Sequence, residues 1–219
     1  MTDALRARAR IGQLACLVLV PLAILFVDRA ASTWSHATLH GQAAFIDLTF
    51  IAEYIATACG VVILLAGLAW LAGRELRRPE RVALAVALAV LAASSIKDQL
   101  KRAFGRTWPE TWINHNPSWI DNGVFGFFPY HGGAGWASFP SGHTTVTAAA
   151  MAVLWCAYPR LRPIVWIPVA LVVVGLLGAD YHFVGDMLAG GFLGAAAGVW
   201  IARLSGVAAP APVRPRSAG

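Results

Sequence analysis

Six stretches of this chain, approximately residues 11–27, 50–72, 82–100, 143–159, 163–180 and 186–204, are apolar runs of a length to cross a bilayer. A membrane-spanning helix needs roughly 17 to 25 residues, including its interfacial ends. No balanced polar surface is left to dissolve such a chain: 58% of its 219 residues are hydrophobic and 13% charged, with a mean hydropathy of +0.63, where a soluble domain carries about a quarter charged residues. The expected fold is therefore all-α, a polytopic membrane helical bundle of about six transmembrane helices. It is expected to form one domain over residues 1–205. The proline- and alanine-rich end, 206–219, reads as a disordered cytoplasmic tail.

The arginines set an expected topology, because positive charge is retained on the cytoplasmic side. Arg6, Arg8 and Arg10 precede the first run, and Arg74, Arg77, Arg78 and Arg81 join the second to the third. Arg160 and Arg162 join the fourth to the fifth, and Arg203, Arg214 and Arg216 follow the sixth. All four groups fall on one side. Both termini are thus expected in the cytoplasm of a bacterial-type cell with an inner membrane, and segments 28–49, 101–142 and 180–186 face outward. After Val27 the sequence D-R-A-A-S-T-W offers no small-x-small cleavage site, so the first run reads as a retained span and not a leader. A net charge of +6 invites a nucleic-acid partner, but the basic residues sit in short groups between apolar runs and form no polar face, which excludes that reading. Cys16, Cys59 and Cys156 lie in apolar stretches without a C-x-x-C pair, so neither disulfides nor a zinc site is expected from them. Gly190, Gly194 and Gly198, at four-residue spacing, read as a packing face.

One basic cluster, Lys97, Lys101, Arg102 and Arg106, breaks the charge bias by falling on the outer side. It reads either as side chains snorkelling from a helix end or as an anion site. Two other outer features join it: P-S-G-H at 140–143, opening the fourth span, and H-F-V-G-D at 182–186, leading into the sixth. Together they supply what phosphoryl transfer requires, namely cations for the equatorial oxygens, a nucleophile and an acid for the leaving oxygen. At a helix start the backbone N–H groups of Ser141, Gly142 and His143 are expected to lack intrahelical partners and to favour an anion. Asp186, four residues after His182, sits where a carboxylate can orient an imidazole. It also sits where it can cap the start of the last span.

P-S-G-H followed by H-x-x-x-D resembles the second and third signature motifs of the type 2 phosphatidic acid phosphatase superfamily, which also includes vanadium-dependent haloperoxidases; the likeness covers about residues 95–200. The resemblance implies that His182 is a nucleophile forming a phosphohistidine, with Asp186 as its orienting partner and His143 as general acid. It further implies that Ser141 and Gly142 bind phosphate oxygens, and that neither a metal nor another cofactor is needed. Two positions depart from the family's pattern. After Lys101 and six intervening residues the expected arginine is Trp108, followed by Pro109, and at the sixth position before His182 the expected arginine is Leu176. Loss of one transition-state donor costs about 3 to 4 kcal/mol, so substitutes are expected: Lys101 and Arg106 first, then Lys97 and Arg102. For Leu176, only His131 or His115 of the outer loop is at hand.

That loop interleaves aromatic residues such as Trp108, Trp112, Trp119, Phe125 and Phe127 with glycines, which suits either an interfacial belt or a lid over a lipid headgroup. The expected function is a membrane phosphatase that hydrolyses a phosphomonoester or pyrophosphate of a lipid at the outer face, with the lipid and the bilayer as partners. Two alternatives stand beside it: a lipid phosphotransferase with an acceptor other than water, and a non-catalytic phospholipid-binding protein.

Overall fold

The computed structural model describes residues 3–113 and 115–209; the expected tail beyond 209, with Arg214 and Arg216, lies outside the described residues. The architecture is an all-helical bundle, and no strand occurs among the described residues. Its helices are α1 (Asp3–Leu22), α2 (Asp28–Thr38), α3 (Ala43–Leu71), α4 (Arg78–Phe104), the single turn α5 (Trp119–Asn122), α6 (Gly142–Ala157), α7 (Ile167–Gly178) and α8 (Val184–Leu204). Four helical stretches are long and apolar enough to cross a membrane: Ile11–Thr38, Ala43–Leu71, Arg78–Phe104 and Val184–Leu204. Their outward faces carry exposed residues such as Leu17, Phe26, Leu64 and Leu71, a surface that lipid chains and not water would cover. The chain is an integral membrane protein.

The other two expected spans are shorter helices, 16 residues in α6 and 12 in α7. Helix α6 compensates by burial. Every residue from Thr144 to Val153 is buried, chiefly against α8 and α4. Its threonines satisfy their hydroxyls locally: Thr145 Oγ1 donates to the Ser141 carbonyl at 2.7 Å and Thr147 Oγ1 to that of His143 at 2.8 Å.

Helix α8 meets α6 through the glycine stripe read from the sequence. A Cβ on Gly194 would lie 2.2 Å from the Thr145 carbonyl oxygen, and one on Gly198 would lie 2.4 Å from that of Ala149. No real Cβ sits so close to backbone, so the two helices approach at a distance that only glycine permits. Gly194→Ala is accordingly expected to destabilise the detergent-solubilised protein by about 1–3 kcal/mol through overpacking, with Gly194→Val worse, as read by thermal unfolding. Gly12→Ala, with open space around its position, serves as the control.

The first long helix is interrupted. Pro21 lies inside α1, and a π-helical turn, Ala23–Val27, separates α1 from α2. Proline removes a backbone donor from the ladder, and the wider turn re-phases the residues that follow it. The first of these is Asp28, which is buried. Residues 206–209 stay docked at the end of α8: Val207 is buried, and Ala209 N–H donates to the Cys156 carbonyl at 2.8 Å.

Candidate active site

The site is assembled at one end of the bundle, from the end of α4, the start of α6, the α7–α8 junction and the beginning of α2. Helix α4 stops at Gly105, whose φ of +58° is left-handed and whose Cβ would lie 1.9 Å from the Phe128 carbonyl oxygen. Glycine is needed there on both counts. The chain thereby turns inward, and the next residue is Arg106.

Arg106 is fully buried and holds two carboxylates at once. Its Nη2 lies 2.6 Å from Asp28 Oδ2 and its Nη1 lies 2.5 Å from Asp186 Oδ1. Aromatic rings surround the guanidinium, with centroids 5.2 Å (Phe125), 4.9 Å (Phe127) and 4.6 Å (Phe183) from its Cζ. Part of the aromatic loop between α4 and α6 is therefore the wall of a charge site. Both terminal nitrogens of Arg106 are thus engaged by Asp28 and Asp186, while its Nε is buried without a hydrogen-bond partner. Asp28, absent from the candidates read from the sequence, is tied on its other oxygen by Gly185 N–H at 2.8 Å. The signal was available, since an acid at the end of an apolar run is a functional candidate by default.

Asp186 is the hub. Besides Arg106, it accepts from the Ser138 hydroxyl and from Phe183 N–H at 3.1 Å. One carboxylate thus closes the first turn of α8, as the cap reading expects, and also lies beside the imidazole. His182 Nδ1 lies 3.5 Å from Asp186 Oδ2, a contact longer than a good hydrogen bond. Burial lowers the His182 pKa from its ordinary value; Asp186 opposes that shift, and the Lys101 and Arg106 charges add to it.

His143 faces this pair, with ring centroids 6.1 Å apart. Of the three backbone donors expected at the start of α6, Ser141 N–H is taken, donating to the Asp186 carbonyl at 3.0 Å. Its hydroxyl is not: Ser141 Oγ is buried and has no hydrogen-bond partner. Gly142 leaves room for Lys97, whose Nζ would lie 3.6 Å from a Cβ there. Lys97 also pairs with Asp98 at 2.7 Å. Lys101 donates to the Ala137 carbonyl, and its Nζ sits 5.4 Å from the centroid of the Trp108 ring. Arg102 is exposed.

Of the two departures from the family pattern, Trp108 lies in the site. Its ring centroid is 5.0 Å from that of His182, and its indole N–H donates to the Ala134 carbonyl at 2.8 Å. A flat apolar wall against the imidazole thus stands at the position of the motif arginine. Leu176 is fully buried in a small apolar cluster with Val172 and Met187. Of the proposed stand-ins for it, His131 packs on Trp136 with centroids 4.0 Å apart, and His115 is exposed.

The helical membrane bundle thus sets a buried histidine 3.5 Å from a carboxylate and opposite a second histidine at a helix start. The family model of the PAP2 superfamily matches residues 82–208, and the chain belongs to that superfamily. Among curated proteins it is 32% identical over 123 residues to a lipid A 1-phosphatase of Rhizobium etli, covering 54% of this chain and 46% of that protein. It is 31% identical over 123 residues to a lipid A 1-phosphatase of Rhizobium johnstonii, covering 54% of this chain and 44% of the other. The match thus spans less than half the length of these curated relatives. No solved structure matches the chain significantly. Asp28 lies ahead of the matched residues, so the first long helix adds to the site a group that the family segment does not contain.

Proposed function

We propose that the chain is a membrane phosphatase that removes phosphate from a lipid through a phosphohistidine on His182. The observation that carries this reading is the buried His182–Asp186 pair facing His143 across 6.1 Å, with the unpartnered Ser141 hydroxyl at the same helix start. Asp186, beside Nδ1, leaves Nε2 of a neutral His182 to attack phosphorus. As the N–P bond forms, the P–O bond to the lipid breaks, and His143 gives the leaving oxygen its proton. Water then attacks the phosphohistidine, His143 takes a proton from it, and inorganic phosphate leaves with His182 restored. Lys97, Lys101, Ser141 Oγ and the Gly142 N–H hold the phosphate oxygens, and the chemistry needs no metal. Arg106 acts one step removed by fixing Asp186.

The same reading gives the setting: an inner-membrane protein of one domain, both termini cytoplasmic, with the site facing outward at headgroup depth so that lipid chains stay in the bilayer. The two relatives are named for lipid A, so lipid A phosphate heads the substrate panel. Purified protein is expected to release phosphate from at least one of lipid A phosphates, phosphatidate, phosphatidylglycerophosphate and polyprenyl diphosphate. No release from any of them, with no effect of His182→Ala in cells, sinks the proposal. The apolar Trp108 face beside His182 favours one second reading, transfer to an acceptor other than water. That enzyme turns over only when an acceptor alcohol or phosphate is added.

The pH profile follows from the depressed His182 pKa. The nucleophile is the neutral form, and a lowered pKa keeps it neutral as pH falls through the ordinary histidine range near ~6.5. The acid limb of log kcat/KM is therefore expected below about pH 6.5. A limb above pH 7 contradicts the assignment of His182 as a buried neutral nucleophile.

A further inference from the structure

Outside the phosphate site, two histidines and two carboxylates gather where α2 ends. We propose that His36, His40 and Glu110 form a divalent-cation site of the zinc type, with Asp180 orienting His36, and that this site clamps the first long helix to the loops that carry Trp108 and His182.

His36 and His40 are four residues apart at the end of α2 and the turn that follows, so one face of the helix presents both rings, their centroids 4.5 Å apart. Glu110 arrives from the other side, two residues after Trp108, and its Oε2 lies 3.3 Å from His40 Nδ1. One ligand atom from each of the three residues falls within 4.8 Å of the others. Tetrahedral zinc with bonds of about 2.0–2.2 Å draws its ligand atoms to about 3.3–3.6 Å from one another. Small rotations of three partly exposed side chains close that difference. Two imidazoles and a carboxylate are a donor set that suits zinc over magnesium or calcium.

The independent observation is Asp180. This residue is 2% exposed, and its Oδ1 accepts from Ser32 Oγ at 2.9 Å. Its Oδ2 is buried with no hydrogen-bond partner and is aimed at His36 Nδ1, 3.5 Å away. His36 Nδ1 likewise lacks a hydrogen-bond partner. A buried carboxylate set against one ring nitrogen of a histidine is how metal-binding imidazoles are oriented, leaving the other nitrogen for the ion. Side-chain exposures of 33% for His36, 40% for His40 and 21% for Glu110 leave the cluster open to ions from solution. Water can complete the coordination.

The position gives the clamp its purpose. Asp180 has a left-handed φ of +53°, unusual outside glycine, and stands two residues before His182. A cation held by α2, by the loop after Trp108 and, through Asp180, by the turn before His182 braces three segments that meet at the phosphate site. It takes no part in phosphoryl transfer.

The test counts metal directly, so its outcome is separate from that of the phosphatase reading. Full-length protein in detergent is stripped with EDTA and titrated with zinc chloride, with bound metal read by mass spectrometry after desalting and unfolding temperature read in parallel. The expected result is about one zinc per chain with a rise in unfolding temperature. His36→Ala with His40→Ala is expected to abolish both effects, while Asp180→Asn weakens zinc affinity by about 10- to 100-fold. His182→Ala keeps the zinc. The proposal is overturned if zinc neither binds nor stabilises, if the double variant binds it as well as the parent, or if it is lost on His182→Ala. Glu110→Gln provides a second route if the double variant does not fold: unchanged zinc affinity in that variant also overturns the site.

Discussion

His182→Ala is expected to lower kcat for lipid-phosphate hydrolysis by at least about four powers of ten, the scale seen when a covalent nucleophile is removed from a positioned catalytic set. The size of the loss follows from the geometry. His182 is buried between Asp186 and the Trp108 ring, and no second nucleophile stands in that position. His143→Ala is expected to cost less, about 10²- to 10⁴-fold, because in the proposed mechanism His143 supplies a proton and not a bond. The two variants separate further by leaving group. An alkoxide needs the proton from His143, whereas nitrophenolate leaves without one, so on p-nitrophenyl phosphate His143→Ala recovers most of its loss and His182→Ala recovers none. Acid-labile phosphate trapped on the protein during turnover completes the assignment, and it is absent in His182→Ala. Equal losses for the two variants on both substrates, or a labelled His182→Ala protein, contradict the division of roles.

The parts of this site legible in the sequence are those carried by short local patterns. P-S-G-H and H-x-x-x-D each place their groups within one helix start, so spacing alone brings His143 to the head of α6 and Asp186 under His182. The apolar runs likewise mark the helices. They overstate two of them, because the residues around Pro159–Leu161 and the turns that follow shorten α6 and α7 to lengths that burial against their neighbours sustains. What stays hidden depends on packing between distant segments. Ser138 lies within the stretch S-F-P-S-G-H, yet nothing in its spacing says that its hydroxyl meets Asp186. Trp108 reads as the loss of an arginine, and only the fold, past the turn at Gly105, shows its ring packed beside His182.

Arg106 shows the same limit most sharply, since counting along the motif makes it the substitute phosphate ligand, whereas the fold pairs it with Asp28 and Asp186 as a strut would be. The two readings give opposite signatures. A strut whose guanidinium satisfies Asp28 and Asp186, both essentially unexposed, leaves two uncompensated carboxylates when it is removed. Breaking such a buried set costs about 3–5 kcal/mol. Arg106→Ala is therefore expected to unfold at a temperature lower by roughly 10 °C and to lose activity with it, because Asp186 no longer holds its place beside His182. Arg106→Lys recovers little, as one ammonium cannot bridge the two carboxylates with paired nitrogens. Combining Arg106→Ala with Asp28→Asn removes one stranded charge, so the double variant is expected to be more stable than Arg106→Ala alone, with a coupling of about 1–3 kcal/mol. A phosphate ligand predicts the reverse pattern: an unchanged unfolding temperature, a raised KM, and no rescue from position 28. If Arg106→Ala melts with the parent protein, the guanidinium belongs to the substrate after all, and the bracing role of Asp28 falls with it.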